Sequence, residues 1–202
     1  MAEHMFGHFC FNVEYKNKRE IVPLLKVTKD ILLKDITNQD LEKLIDLMSR
    51  IYHPAYINYW KDKGDWYVTK LYNKENLENE LKVAAADYFF ILFKDKIIGI
   101  IRIVWNLDTH YQIDKNYVKL HRLYIDQKLQ NEGIGKTIMT WLVDEARKKG
   151  YSKLWLEVME KQEQAFHFYK KIGFKNVDKV SVDFPLLYDE FRGMYKMVRE
   201  LN

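Results

Sequence analysis

Residues 130–137, with the sequence QNEGIGKT, have residue types and spacing suited to binding phosphate. Gly133 and Gly135 let a ligand approach the backbone closely, and a Lys-Thr pair follows them, as in a triphosphate-binding loop. That loop also requires a glycine where this chain has Gln130, so ATP or GTP is not the expected ligand. The dinucleotide pattern G-x-G-x-x-G fails as well, because Ile138 occupies its third glycine position.

The segments around the loop leave two interpretations open. A strand is predicted before the loop and an amphipathic helix, 136–149, after it. A helix N-terminus has free N–H groups and a positive dipole end, so the amides of residues 133–136 are suited to binding an anion. Alternatively, the two glycines serve only a tight turn from strand to helix.

Hydrophobic patterning predicts the elements that would position this loop. An early meander of strands is followed by strands that alternate with helices, which indicates a mixed sheet. An aromatic-rich stretch, 53–72, contains a predicted loop at 62–65, and residues 1–30 form an N-terminal extension with a possible β-hairpin. Strands are predicted at 31–37, 88–93, 97–105, 117–125, 153–159, directly after residue 174 and at 194–201, and helices after residue 38 and at 74–84, 136–149 and 161–172.

Composition narrows the class of protein. The 202 residues, 48% of them hydrophobic, can form one core, and no stretch approaches the roughly 18–20 apolar residues of a membrane span. Basic and acidic residues (33 and 29) are evenly mixed, which argues against a nucleic-acid partner. Cys10 is the only cysteine, so no internal disulfide forms, and we expect a small apolar side chain in a cytoplasmic protein rather than a catalytic thiol.

Two motifs in a fixed order carry a family resemblance. Q-x-x-G-x-G at a strand end, then helix, strand and a helix with A-x-x-x-Y-x-x-x-G-F (Ala165, Tyr169, Gly173, Phe174), resembles the GNAT superfamily of acetyl-CoA-dependent N-acetyltransferases. The resemblance covers about residues 31–200 and implies a single domain at 31–202. It implies an α/β fold of the α+β type, with a mixed, mostly antiparallel sheet of about six or seven strands and about four flanking helices. Residues 72–99, 121–136 and 155–174 are similar to bacterial PaiA-type polyamine N-acetyltransferases.

The resemblance implies roles for residues around the loop. The loop amides hold the pyrophosphate of acetyl-CoA, no metal is needed, and Tyr169 protonates the departing thiolate as a general acid. A backbone N–H of the strand before the loop, at or near Leu123, binds the thioester carbonyl oxygen. Gln162 stands where the family usually has asparagine, so its contact with the coenzyme is in doubt. The implied coenzyme-binding residues are Leu123, Tyr124, Ile125, Gln130, Asn131, Glu132, Gly133, Ile134, Gly135, Lys136, Gln162 and Tyr169.

Two residues are candidates for the base that takes the proton of the amine. His121 stands on the strand where many family members have glutamate, and its reference pKa near ~6.5 suits a base at neutral pH. Glu157 on the next strand is the rival. Either side chain can instead serve only the structure, as a hydrogen-bonded sheet histidine or an exposed strand glutamate.

The acceptor is expected above the sheet, beneath the N-terminal helices. Asp62, Asp65 and nearby aromatic rings would favour a cationic amine, for example a polyamine such as spermidine. Two alternatives stay open: a protein or peptide amine as acceptor, and a catalytically silent coenzyme A-binding regulator of the same fold. We expect no membrane partner, and a homodimer is possible. The rings are those of Tyr52, Tyr56, Tyr59, Trp60, Trp66 and Tyr67.

Overall fold

An eight-stranded sheet in the order β1-β2-β3-β4-β5-β6-β8-β7 organises residues 24–105 and 116–201, the parts of the chain that the computed structural model describes. Five α-helices of these described residues flank it. The strands are β1 (Leu25–Lys26), β2 (Ile31–Asp35), β3 (Ala86–Phe93), β4 (Lys96–Trp105), β5 (Tyr117–Ile125), β6 (Lys153–Met159), β7 (Lys175–Ser181) and β8 (Gly193–Glu200). The helices are α1 (Leu41–Tyr56), α2 (Asp65–Leu71), α3 (Lys74–Leu81), α4 (Ile134–Lys148) and α5 (Glu163–Lys171).

One neighbouring pair of strands in this sheet, β5 and β6, is parallel, and the others are antiparallel. Helix α4 makes the crossover that a parallel pair requires. The β5–β6 pairing is short: it ends where Lys119 faces Trp155. Beyond that point the two strands have no ladder between them, so the middle of the sheet opens.

Each face of the sheet has its own hydrophobic core. Alternate residues of β5 and β6, such as Leu120 and Leu156, pack beneath α4 and α5. The opposite faces of β3 and β4 pack against α1, α2 and α3 around Phe90 and Ile100, which are fully buried. The functional candidates at the opening therefore lie between two separately packed layers.

These observations confirm the predicted fold class. The described residues form eight strands and five α-helices, where six or seven strands and about four helices were predicted. Helix α2 lies in the aromatic-rich stretch, where only a loop was predicted at 62–65. Its start depends on Gly64 at φ 98° and on Asp62, whose carboxylate accepts the N–H groups of Gly64 and Trp66 (3.1 and 2.5 Å). Of the hairpin proposed within residues 1–30, the first strand lies outside the described residues, and β1 is the end of the second. No described helix is long and apolar enough to cross a membrane.

Candidate active site

The opening between β5 and β6 forms a cleft of about 1220 Å³, here called the β5–β6 cleft. Its floor is the edge of β5 after Lys119, where the backbone has no strand partner on the β6 side. Helix α5 and the loop before α4 form one wall, and α1 and α2 contribute to the other. A ligand in this cleft can therefore hydrogen-bond to main-chain groups that an ordinary ladder would occupy.

The predicted phosphate loop lies at one end of this cleft. Helix α4 begins at Ile134, so the N–H groups of Ile134, Gly135 and Lys136 belong to its first turn and have no acceptor within the helix. Gly133 precedes the helix at φ 74°, a conformation that glycine adopts without strain. These features give the loop the free donors and the positive dipole end that an anion requires.

At Gly135, unlike at Gly133, the backbone conformation does not require glycine. Its φ is not positive, and a Cβ placed there would meet only Phe168 and Ile125, at the ordinary contact distances of 3.7 and 3.8 Å. The fold would therefore accept alanine at this position. Gly135 itself lines the cleft, between the free amides of Ile134 and Lys136.

Tyr169 extends from α5 into the same cleft, close to Tyr56 of α1. Burial, and then the neighbouring Tyr56, raise the pKa of Tyr169 above its usual value of 10. The phenol therefore keeps its proton throughout the neutral range, as a proton donor must. The side chain of Gln162 donates a hydrogen bond to the Tyr56 hydroxyl, and burial raises the pKa of Tyr56 to about 12.

A β-bulge at His121 distorts β5 directly beneath the cleft. Arg102 of β4 pairs with Arg122, and the next residue, Ile103, pairs with Leu120, so His121 is the extra residue. The bulge resets the alternation of side chains. On the α1–α3 side of the sheet lie the side chains of Lys119, His121, Arg122 and Tyr124. On the α4 side pack the remaining apolar side chains, those of Leu120, Leu123 and Ile125.

The environment of His121 argues against its role as the base. Arg102 Nη1 lies 2.7 Å from His121 Nδ1, and because arginine only donates, Nδ1 is the acceptor and the neutral ring carries its hydrogen on Nε2. Burial, followed by the charges of Arg122, Arg102 and Lys119, holds the pKa of His121 well below its usual 6.5. The ring is therefore a neutral hydrogen-bond donor toward the cleft, and a weak proton acceptor.

Glu157 lines the cleft on β6, opposite His121. Its Oε2 accepts a hydrogen bond from Lys119 Nζ at 2.8 Å, and its side chain is 28% exposed. The carboxylate therefore lies at the cleft with Lys119 as its partner. Glu157 keeps the role of candidate base, directly or through water.

The predicted acceptor region is aromatic but does not contain the predicted carboxylates. Tyr52 and Tyr67 stack with their ring centroids 4.4 Å apart, and the hydroxyls of Tyr67 and Tyr124 are 2.8 Å apart. Asp62 and Asp65 are not among the residues that line the cleft. Asp62 binds the N-terminal amides of α2, and Asp65 accepts from His53 at 2.8 Å, so the expected acidic contribution to the acceptor site was wrong.

The structure brings nearly all predicted site residues to this one cleft. The exceptions are Glu132, an exposed residue of the loop, and the acceptor candidates Asp62, Asp65 and Trp66, none of which lines it. Tyr124 presents its side chain to the acceptor side, so any coenzyme contact falls to its backbone. Sequence reasoning missed Arg102, Arg122 and Glu80, because their proximity to His121 depends on pairing between distant segments.

A family model for the acetyltransferase (GNAT) family matches residues 45–174, the part of the chain that contains every predicted site residue. An uncharacterized N-acetyltransferase of Lactobacillus delbrueckii subsp. lactis is 24% identical over 107 residues, or 53% of this chain. The match spans 62% of that relative's own length.

Two solved structures share the fold. The PaiA N-acetyltransferase of Thermoplasma acidophilum, in complex with coenzyme A, has a TM-score of 0.65 and 24% identity, covering 84% of this chain and 98% of that one. A chimeric form of the Vibrio cholerae spermidine N-acetyltransferase SpeG has a TM-score of 0.64 and 16% identity, covering 86% and 96%. Because the family model spans more than half of the chain, the protein belongs to the GNAT family of acetyltransferases.

Proposed function

We propose that this protein transfers the acetyl group of acetyl-CoA directly to a primary amine in the β5–β6 cleft. The observation that carries the proposal is that Tyr169, the free amides at the start of α4 and the unpaired edge of β5 all line this cleft. The amides suit the pyrophosphate of the coenzyme. The structural neighbour from Thermoplasma acidophilum, which was solved with coenzyme A, supports the same ligand.

Each chemical step has a candidate residue in the cleft. A backbone N–H of β5 near Leu123 polarises the thioester carbonyl, and Glu157 accepts the amine proton directly or through water. The amine attacks the carbonyl carbon, the carbon–sulfur bond breaks, and Tyr169 gives its proton to the thiolate of coenzyme A. No metal has a part in these steps.

The acceptor class is a separate question. A polyamine was expected from the sequence, and the spermidine enzyme among the structural neighbours and the stacked tyrosines support it. The carboxylates that were to hold its positive charges, however, lie outside the cleft. Spermidine and spermine are therefore acceptors to test beside amino acids, aminoglycosides and short peptides.

Two measurements test the proposal. Acetyl-CoA should raise the melting temperature of the protein, and ATP with magnesium should leave it nearly unchanged. Release of the coenzyme A thiol should then depend on adding an amine. A protein that binds acetyl-CoA but acetylates none of these amines would be a coenzyme A-binding regulator, and the catalytic proposal would fail.

A further inference from the structure

The β5–β6 cleft lies beside a cluster of side chains with more positive than negative charge; of its two arginines, Arg122 lines the cleft and Arg102 does not. Arg102 and Arg122 share one carboxylate, that of Glu80, at 3.8 and 2.6 Å. Lys119 is neutralised by Glu157 at 2.8 Å. Among the described residues in this cluster, one guanidinium charge is therefore left without a carboxylate of its own.

Both arginines are buried, so a guanidinium charge without a carboxylate partner costs folding free energy. Arg102 is 6% exposed and Arg122 is 5% exposed. Arg122 Nη2 and the hydroxyl of Tyr72 are buried, without a hydrogen-bond partner in the described part of the chain. Burying a charge that has no carboxylate of its own is expensive, so this arrangement is suited to a ligand that brings negative charge to the cleft beside His121 and Arg122.

His121 connects the cluster to the cleft. Its ring is half-buried and lines the cleft, and the bond from Arg102 leaves its hydrogen on Nε2. The positive charges of Arg122, Arg102 and Lys119 all lie close enough to this ring to lower its pKa. The bulge is what puts His121 and Arg122 on the same side of the sheet although they are consecutive.

His121 also lies close to Leu123, the expected site of acetyl transfer. His121 precedes Leu123 by two residues, or about 7 Å along a strand. That distance is short enough for one small molecule to span the two points. The phosphate loop, which begins several residues after β5 ends, lies farther along the cleft and is separate from this cluster.

We infer that His121 and Arg122, which line the cleft, form an anion subsite for a carboxylate carried by the acceptor itself, with the charge of Arg102 adjacent to His121. This inference rests on the proposed acetyl transfer and narrows its acceptor to a primary amine that also bears a carboxylate, as an amino acid does. The Nε2–H group of His121 donates to the carboxylate, and the two guanidinium groups supply the opposite charge. A polyamine, which brings only positive charge, is disfavoured on this floor.

The test compares matched acceptors that differ in one group. A series of amino acids of increasing length, from glycine to γ-aminobutyrate, is assayed beside the corresponding carboxamides and spermidine, with kcat/KM corrected for the ionisation of each amine. We expect the best carboxylate to exceed its amide by about 10- to 100-fold, since a hydrogen bond to a charged group has that effect. Equal rates for every pair, or spermidine as the best acceptor, would overturn the inference and leave acetyl transfer intact.

Variants then assign the preference to the subsite. His121→Phe should bring the carboxylate-to-amide ratio close to one, and His121→Gln, which keeps an N–H donor, should retain part of it. His167→Phe is the matched control, because His167 is exposed on α5 and does not line the cleft. If His121 were instead the general base, His121→Phe would slow both acceptors equally and the ratio would persist, which contradicts the inference.

Calorimetry on the coenzyme A-bound protein provides a readout that does not need turnover. The carboxylate compound should bind more tightly than its amide to wild type and to His167→Phe, and no more tightly to His121→Phe. Absence of any acetylated product would refute the proposed function. Absence of the difference in binding would separately refute the anion subsite.

Discussion

Replacing Gly135 with alanine should lower the affinity of the protein for acetyl-CoA without lowering the stability of the free protein. The added methyl group meets no protein atom closer than 3.7 Å, and alanine is the better helix former by up to ~1 kcal/mol. The melting temperature of the free protein should therefore stay constant or rise by a few degrees. Gly135 lines the cleft among the free amides at the start of α4, and we expect a methyl group there to hold a phosphate away.

The expected loss of affinity follows from the contacts at stake. A charged hydrogen bond contributes roughly 1.5–3 kcal/mol, so weakening one of them lowers affinity by about 10- to 100-fold. A ligand present at 100 times its Kd stabilises a protein by ~2.7 kcal/mol, and a tenfold weaker Kd removes about half of this. For a chain of this size, the shift caused by acetyl-CoA should fall by roughly 3–5 °C.

Gly150→Ala is the control for this experiment. Gly150 follows α4 at the opposite end, with φ at 80°, and does not line the cleft. Alanine in that conformation should destabilise the free protein by about 1 kcal/mol and leave the shift with acetyl-CoA unchanged. If Gly135→Ala lowered stability instead, or kept the full shift, the argument that a ligand needs this glycine would be refuted.

Four variants test other parts of the account. Tyr169→Phe should lower kcat by about 10²–10⁴-fold while the Kd for acetyl-CoA stays near the wild-type value, and wild-type turnover would reduce Tyr169 to a packing residue. Glu157→Gln should cause a comparable loss, and an unchanged kcat would exclude Glu157 as the base. Asp62→Ala should cost about 1 kcal/mol in a denaturation experiment, because it removes the acceptor for the first amides of α2; full stability would contradict that role. Because the pKa of His121 is lower in the folded protein than its usual 6.5, the unfolded chain binds the extra proton first, so stability should fall as pH drops below about 6.5. His121→Phe should flatten this decline in melting temperature, and an identical decline in the variant would argue against a depressed pKa.

The parts of the site that follow from local signals could be predicted from the sequence. The amphipathic pattern predicts a helix at 136–149, where the structure has α4 at Ile134–Lys148, and the alternation along residues 117–125 gives β5 with the bounds that the structure has. The predicted strands at 88–93 and 97–105 likewise leave only a few residues for a turn, which the structure has between β3 and β4. Each of these features depends on neighbours within a few positions.

The parts of the site that depend on pairing between distant segments could not be predicted from the sequence. The bulge at His121 exists only in relation to β4, and nothing within residues 117–125 marks the extra residue. The partners of His121 come from α3, β4 and β5, so its tautomer and its surrounding charge are properties of the assembled sheet. The sequence likewise does not show that the Asp62 carboxylate accepts a hydrogen bond from the first turn of α2, because it does not predict that helix.

Direct acetyl transfer is tested most closely by following a labelled acetyl group from coenzyme A. The protein is loaded with labelled acetyl-CoA in slight deficit, the best acceptor amine is added, and protein and small molecules are analysed by mass spectrometry over a single turnover. The account predicts that the label passes to the amine nitrogen without appearing on the protein, and that Tyr169→Phe slows its appearance. Label that stays on coenzyme A with every amine, or that first accumulates on a side chain of the protein, would contradict it.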